Sequence, residues 1–185
     1  MLELATLGLL QKEALHGYRL KQQMELFMSG CISVNYGAIY PLLKRLEEKG
    51  LITVFTQEEE TNNPRKMYSI TPEGRKKWKE KMLEHPHESW INSRSRFMIK
   101  YFFFRYLEPS ERVKLLEHRL MTCTIQLESK EKDQESMLND DDAFQVEAWE
   151  RYKWTIEDEI QWLNHQLLIA KDYNSAIEID RPTLS

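Results

Sequence analysis

Hydrogen-bonding side chains recur at helical spacing between residues 35 and 44. Tyr36, Tyr40 and Lys44 are each four residues apart, so they form one stripe of a helix. Asn35 precedes the stripe, and Gly37 within it permits the close approach of another backbone. An amide, two hydroxyls and an ammonium group can hydrogen-bond with base edges and phosphates, and asparagine suits adenine. The pattern indicates contact with DNA. The alternative is that Tyr36 or Tyr40 packs between helices with only its hydroxyl exposed.

A pair of cations, Arg65 and Lys66, follows a polar turn. From the far side of that turn they can bind phosphates or enter the minor groove. Such contacts add affinity for DNA without distinguishing one base sequence from another. Glu58, Glu59 and Glu60 stand in the same turn and would repel phosphate unless they point away. In the alternative, the two cations pair with these glutamates in a solvated turn.

His16, Gly17 and Tyr18 stand where a helical pattern begins. The first turn of a helix presents backbone N–H groups that favour anions, so these residues and the Tyr18 hydroxyl can hold a phosphate. The alternative is that His16 only closes the turn.

Three short helices must position these residues. The first begins at Leu2 and ends near Lys12, with residues 14–17 as its exit turn. The second starts at Tyr18 and stops at the Ser-Gly pair of residues 29–30. The third is capped by Ser33 or Asn35 and ends at residues 49–50. Its apolar face consists of Ile39, Leu42, Leu43 and Leu46.

A hairpin and a fourth helix follow. Residues 51–56 are rich in β-branched side chains, residues 58–64 form a polar turn, and residues 66–70 alternate like a returning strand. Thr71 is a helix cap and Pro72 the first helical residue after it. Three helices, a two-stranded wing and a fourth helix make residues 1–84 a winged helix-turn-helix domain in a mainly α protein.

Pro41 conflicts with the third helix. In a helix interior a proline removes a hydrogen bond and clashes with the preceding turn, at a cost of about 3 kcal/mol. We therefore expect the helix to be short or bent at Pro41.

The remaining residues, 85–185, are predicted to form a long antiparallel helical hairpin. Two heptad seams, separated by an acidic turn at residues 139–142, either pair with each other or pair across a two-fold axis with a second copy. We expect a homodimer with these residues at its centre. The seams consist of Val113, Leu116, Leu120, Cys123, Leu127, Ile156, Ile160, Leu163, Leu167 and Ala170.

Aromatic residues of this second part are candidates for a pocket that stacks a planar ligand. The residues are Trp90, Phe97, Tyr101, Trp149, Trp154 and Trp162. Aromatic residues at helical spacing more often form core and dimer interface, so this alternative is the stronger one.

Composition argues against an enzyme, a metal site and a membrane span. The chain has no glycine-rich phosphate loop, GxSxG or HExxH motif. Cys31 and Cys123 are far apart, and neither His85 with His87 nor the acids of residues 140–142 complete a metal site. No cofactor is expected. The longest apolar run is too short to cross a bilayer, and the first residues lack the features of a secretory signal, so a cytoplasmic location is expected.

Charge is divided unevenly along the chain. Residues 1–84 hold 13 Lys and Arg against 11 Asp and Glu, whereas residues 85–185 hold 13 against 19. The first part is only weakly basic, so charge alone does not identify a DNA-binding domain.

Four motifs in order resemble the PadR family of transcriptional regulators. They are the segment from His16 to Leu20, that from Asn35 to Ile52, that from Pro64 to Tyr68, and Thr71-Pro72-Glu73-Gly74. The resemblance covers residues 2 to about 80, and the acidic remainder is similar to the family's longer C-terminal dimerisation type. It implies a dimeric repressor that leaves its double-stranded operator DNA when an effector binds, with phenolic acids as the effectors of the members that name the family. The rival interpretation is a winged-helix adaptor that binds proteins and no DNA.

Overall fold

The computed structural model describes residues 1–28, 36–57, 65–137 and 142–179, the side chains of Tyr36, 133–137 and 172–179 excepted. These parts are mainly helical and divide into two compact units, residues 1–106 and 107–185. No helix in the described ranges is long and apolar enough to cross a membrane.

The first unit opens with helices α1 (Leu2–Leu9) and α2 (Gly17–Met28). On α2, Leu20, Met24 and Met28 recur every four residues and are completely buried, while α1 buries Leu4 and Leu7. One apolar face of each helix thus joins the core, as the leucine and methionine spacing predicted.

Helix α3 (Ile39–Glu48) buries Ile39, Leu42, Leu43 and Leu46 and follows a short 3-10 helix, Tyr36–Ala38. Pro41 lies in its first turn, where the backbone nitrogen has no helical acceptor in any case, so the expected cost and bend do not arise. Beyond the end of the helix, Gly50 has a left-handed φ of 68°. The Gly50 and Leu51 amides bond back to Glu47 and Leu46, both at 2.9 Å, and complete a Schellman motif.

The sheet has one more strand than the sequence predicted. Strands β2 (Ile52–Gln57) and β3 (Arg65–Ile70) form the expected antiparallel hairpin, with Val54 opposite Tyr68. A two-residue strand, β1 (Leu15–His16), pairs with the other edge of β3 and makes the order β1-β3-β2. Residues 15 and 16, expected to lie in a turn, therefore fix the start of α2 to the wing.

Helix α4 (Pro72–Leu83) is joined to the end of α3 by Thr71. The Thr71 hydroxyl donates to the Gly50 carbonyl at 2.8 Å and accepts from the Gly74 amide at 3.0 Å. Gly74 is required here, because a Cβ at this position would lie 2.0 Å from the Leu51 carbonyl oxygen.

Helix α5 (Trp90–Phe102) and a 3-10 helix, Phe104–Tyr106, belong to the first unit, whereas the division predicted at residue 84 places them in the second part. The packing gives the reason. The Lys100 ammonium donates to the Glu84 carbonyl at the end of α4 at 2.5 Å, and Phe103 packs against Gly8 of α1. The α5 segment thus closes the core of the winged helix.

The second unit consists of helices α6 (Pro109–Met137) and α7 (Ala143–Ile179), which pack antiparallel within one chain. A buried ion pair joins Arg119 to Glu159 at 2.8 Å, and Gln126 donates to the Tyr152 hydroxyl at 3.0 Å. The two heptad seams face each other within one chain. This is the first of the two pairings considered from the sequence, in which the seams pair with each other. Leu116, Cys123, Ile156, Leu163 and Leu167 are buried, and Val113, Leu120, Leu127 and Ile160 are half-buried.

Candidate nucleic-acid interface

A cavity of about 700 Å³ opens between the start of α2, the first turn of α3 and the start of β3. Strand β1 accounts for this arrangement, because His16 lies opposite Met67 and holds the start of α2 beside β3. Three motifs that are distant in sequence thereby meet. The predicted residues in the lining are His16, Gly17, Tyr18, Tyr40, Arg65 and Lys66.

The rest of the predicted stripe lies along α3 and before it. Lys44, one turn beyond Tyr40, has a side chain that is 78% exposed and lies 3.9 Å from Glu48. Gly37 is exposed in the 3-10 helix. Asn35 lies outside the described residues, and Tyr36 is described only by its backbone. The described part of the stripe therefore runs from Gly37 to Lys44.

His16 closes the turn at the start of α2, as one of the two interpretations proposed. Its Nδ1 accepts a hydrogen bond from the Arg19 backbone N–H at 3.2 Å. Because Nδ1 is an acceptor, Nε2 is the ring nitrogen that can donate a hydrogen bond. The ring lies parallel to that of Tyr18, with 8° between the planes and 6.4 Å between the centroids.

Gly17 provides space for the ring of Tyr40. A Cβ on Gly17 would lie 2.7 Å from Tyr40 Cε1 and 3.3 Å from Cζ, closer than carbon atoms pack. Tyr40 nevertheless remains 58% exposed, so one part of its ring rests on α2 while the rest faces solvent. Glycine at position 17 thus determines where the Tyr40 hydroxyl can lie.

Three further residues, Arg19, Gln22 and Tyr68, line the cavity and were missed in the sequence. Arg19 and Gln22 are three apart on α2 and share a face, which was the available signal. Gln22 Nε2 donates to the Tyr18 hydroxyl at 3.3 Å. Burial raises the pKa of Tyr68, reinforced by Tyr40 and Glu47, so its phenol is neutral at physiological pH.

The cavity is positively charged. Arg19, Arg65 and Lys66 stand around it, and its lining among the described residues includes no Asp or Glu. The glutamates at residues 58–60, which were expected to oppose the cations, lie outside the described residues. An anion such as a phosphate is attracted to this arrangement.

The cations of α4 are largely engaged within the protein. Arg75 donates to the Gln11 carbonyl and side-chain oxygens at 3.1 and 2.6 Å, and Lys81 lies 3.4 Å from Glu3. This helix therefore connects to α1, and its positive charge is partly neutralised.

The aromatic residues considered for a ligand pocket lie in both units. Trp90, Phe97 and Tyr101 lie on α5, where Phe97 is buried and its ring centroid is 6.3 Å from that of Tyr101. In the second unit, Trp154 is 53% exposed beside Arg151 at 4.5 Å. Trp149 is half-buried, with Lys130 over its ring at 5.8 Å and Tyr152 beside it, and Trp162 is also half-buried.

Comparisons with known proteins identify relatives of this chain. Residues 6–80 match the model of the transcriptional regulator PadR-like family. The negative transcriptional regulator PadR of Bacillus subtilis is 28% identical over 139 residues, which is 75% of each chain.

Solved structures similar to this chain include that of Bacillus subtilis PadR with operator DNA, at 24% identity and a TM-score of 0.46, covering 91% of this chain and 98% of that one. The same relative with p-coumaric acid has 24% identity and a TM-score of 0.43, covering 92% and 98%. Members of the matched family regulate transcription and are not enzymes. Through its winged-helix residues 6–80, the chain is similar to the PadR-like family of transcriptional regulators.

Proposed function

We propose that the first unit binds double-stranded operator DNA through the cavity that joins α2, α3 and β3. The observation that carries this proposal is that one positively charged site gathers His16, Tyr40 and Lys66 from three elements. Tyr40 and Lys44, exposed along α3, enter the major groove together with Gly37.

The residues around the stripe contact the DNA backbone. Arg65 and Lys66 bind phosphates from the wing, and Arg19 adds a third cation from α2. Tyr18 and the Nε2–H of His16 donate to a phosphate from the start of α2, while Gly17 acts by positioning Tyr40. The affinity for DNA therefore comes mainly from contacts with phosphates, whereas the preference for one base sequence comes from α3.

The second unit makes the protein a homodimer. The seams are covered within the hairpin, so they hold α6 and α7 together, and another face must meet the second copy. Trp154 and Leu168, 53% and 65% exposed, lie two heptads apart on α7, with Ile169 beside Leu168. A second copy covers this stripe, and the two-fold axis matches two half-sites about 34–36 Å apart.

The dimer represses transcription in the cytoplasm and releases DNA when a small aromatic effector binds. Support comes from the relative in Bacillus subtilis, which is a negative regulator and has been solved with both operator DNA and p-coumaric acid.

The test is fluorescence anisotropy with labelled DNA from upstream of the protein's own gene, at rising salt. We expect specific binding whose salt dependence falls by about one unit of slope in Lys66→Gln, since one phosphate contact is lost. Lys114→Gln, which removes an exposed lysine of the second unit, is the matched control. An affinity that changes with neither the salt concentration nor the DNA sequence would refute the proposal and favour a protein adaptor.

A further inference from the structure

Tyr68 is the most deeply buried of the described polar side chains that line the cavity between α2, α3 and β3. It is 9% exposed, whereas Tyr18 and Tyr40, the other two tyrosines of the lining, are 59% and 58% exposed. We infer that the Tyr68 hydroxyl is a phosphate ligand, which donates a hydrogen bond to one phosphate of the DNA held in the cavity. The inference rests on the proposed function and adds a buried, uncharged contact to it.

Three strands hold Tyr68 in place. At this residue, β3 pairs with Leu15 of β1 on one side and with Val54 of β2 on the other. Directly opposite residues of a sheet point to the same face. Because Leu15 is buried and Val54 half-buried, the Tyr68 side chain lies on the core-facing side of the sheet. The sheet therefore presents this tyrosine to the cavity from a fixed position.

The Tyr68 hydroxyl is available as a hydrogen-bond donor. Within the ranges that the structure describes, it makes no hydrogen bond, although buried phenols usually have a partner. Burial, reinforced by Tyr40 and Glu47, raises the pKa of Tyr68, so the hydroxyl keeps its proton and can donate. A phosphate oxygen accepts such a bond, and an ionised acceptor makes the bond stronger than a neutral one does.

Cations beside Tyr68 favour a phosphate over a neutral acceptor. Lys66 lies two residues before Tyr68 on β3 and thus on the same face of the sheet. Arg19 and Arg65 line the same cavity. Glu47, the acid that acts on Tyr68, lies on α3 and is absent from the lining. The hydroxyl and the cations can therefore bind oxygens of one phosphate together.

The contact from Tyr68 should respond to salt differently from the contacts of the cations. Lysine and arginine gain affinity by releasing counterions from the DNA, and this gain falls as the salt concentration rises. A neutral phenol releases no counterion. The contribution of Tyr68 to the affinity should thus be the same at low and at high salt.

The first test measures the binding of promoter DNA by Tyr68→Phe at rising salt, by fluorescence anisotropy. We expect the affinity to fall about tenfold at every salt concentration, because one hydrogen bond to a charged group is lost, while the slope against salt stays that of the wild type. The melting temperature should not fall, since the ring remains. Tyr106→Phe, which removes the hydroxyl of a half-buried tyrosine outside the lining, is the matched control and should bind DNA like the wild type.

A second measurement identifies the phosphate and excludes a merely structural role of Tyr68. Single phosphates of the promoter DNA are replaced in turn by neutral methylphosphonates. We expect one position in each half-site at which the wild type loses affinity and Tyr68→Phe loses clearly less, because the two changes remove the same contact. A structural role would give Tyr68→Phe the same further loss as the wild type at every position.

A third measurement needs no DNA. Inorganic pyrophosphate is added to the full chain with isotope-labelled tyrosine, and NMR follows the Tyr68 signal, which is the one that Tyr68→Phe lacks. We expect pyrophosphate to shift this signal and to leave that of Tyr106 in place.

Three outcomes would overturn the inference: wild-type affinity or a reduced salt slope in Tyr68→Phe, equal methylphosphonate losses in this variant and the wild type, or a Tyr68 signal that pyrophosphate does not move. A shifted Tyr68 signal in a protein that fails to bind promoter DNA would support the phosphate site and refute the proposed function alone.

Discussion

Replacing Gly17 by alanine should weaken DNA binding through a displaced tyrosine. The added methyl group would lie 2.7 Å from Tyr40 Cε1, whereas carbon atoms pack at about 3.5–4.0 Å, so the ring must retreat by about 1 Å. Tyr40 is 58% exposed and can move without disrupting the core. Gly17 also lacks a positive φ and begins α2, where alanine is the better helix former.

The expected result is a loss of affinity with no loss of stability. Displacing one hydrogen-bonding hydroxyl costs about 1 kcal/mol, or about a fivefold rise in the dissociation constant for operator DNA. The melting temperature should stay the same or rise. Anisotropy titration and thermal unfolding measure the two effects on the same sample.

A double-mutant cycle distinguishes this mechanism from direct contact between Gly17 and a phosphate. If Gly17 acts through Tyr40, Gly17→Ala with Tyr40→Ala should bind DNA no worse than Tyr40→Ala alone. Additive losses would refute the reasoning and assign the Gly17 backbone its own contact with DNA.

Other predictions concern stability and assembly. Burial lowers the pKa of Lys100 from 10.5 to about 8. Between these two pH values the unfolded state binds one proton that the folded state does not. The free energy of unfolding therefore rises with pH by about 1.4 kcal/mol per pH unit in this range. Lys100→Met should abolish that rise in urea titrations at several pH values; an unchanged slope would contradict the assignment. Arg119→Met leaves the Glu159 carboxylate buried without its arginine and should cost about 3–5 kcal/mol, largely recovered in Arg119→Met with Glu159→Leu. Leu168→Glu places a charge on the exposed stripe of α7 and should yield folded monomers in light scattering, while persistent dimers would exclude this face.

Local patterns predicted the helices and the wing, because each buries one apolar face at the period of its element. The leucine and isoleucine spacing of α3 and the Thr71-Pro72 start of α4 are local signals of this kind. The cost and bend expected from Pro41 were wrong because α3 begins at Ile39, later than predicted. The proline therefore lies in the first turn of the helix.

Features that depend on distant contacts were not accessible from local pattern. Strand β1 has only two residues and exists because β3 offers a free edge to Leu15 and His16. The heptad seams of α6 and α7 look the same whether the partner helix belongs to the same chain or to another. In the sequence, Tyr68 is an ordinary residue of a predicted strand. Only the fold brings it beside Tyr40 in the cavity.

Strand β1 also has a consequence for protein engineering. Strand β3 is paired with β1 at Met67 and Tyr68 and with β2 along its whole length, so Arg65 and Lys66 are positioned by Gln57 and Thr56 of β2 and by the doubly paired residues that follow them. The link between β2 and β3 can therefore be lengthened, shortened or replaced by a labelling tag with little effect on the two cations. A fluorophore introduced there would report the arrival of DNA at the wing while leaving the recognition residues of α2 and α3 unaltered.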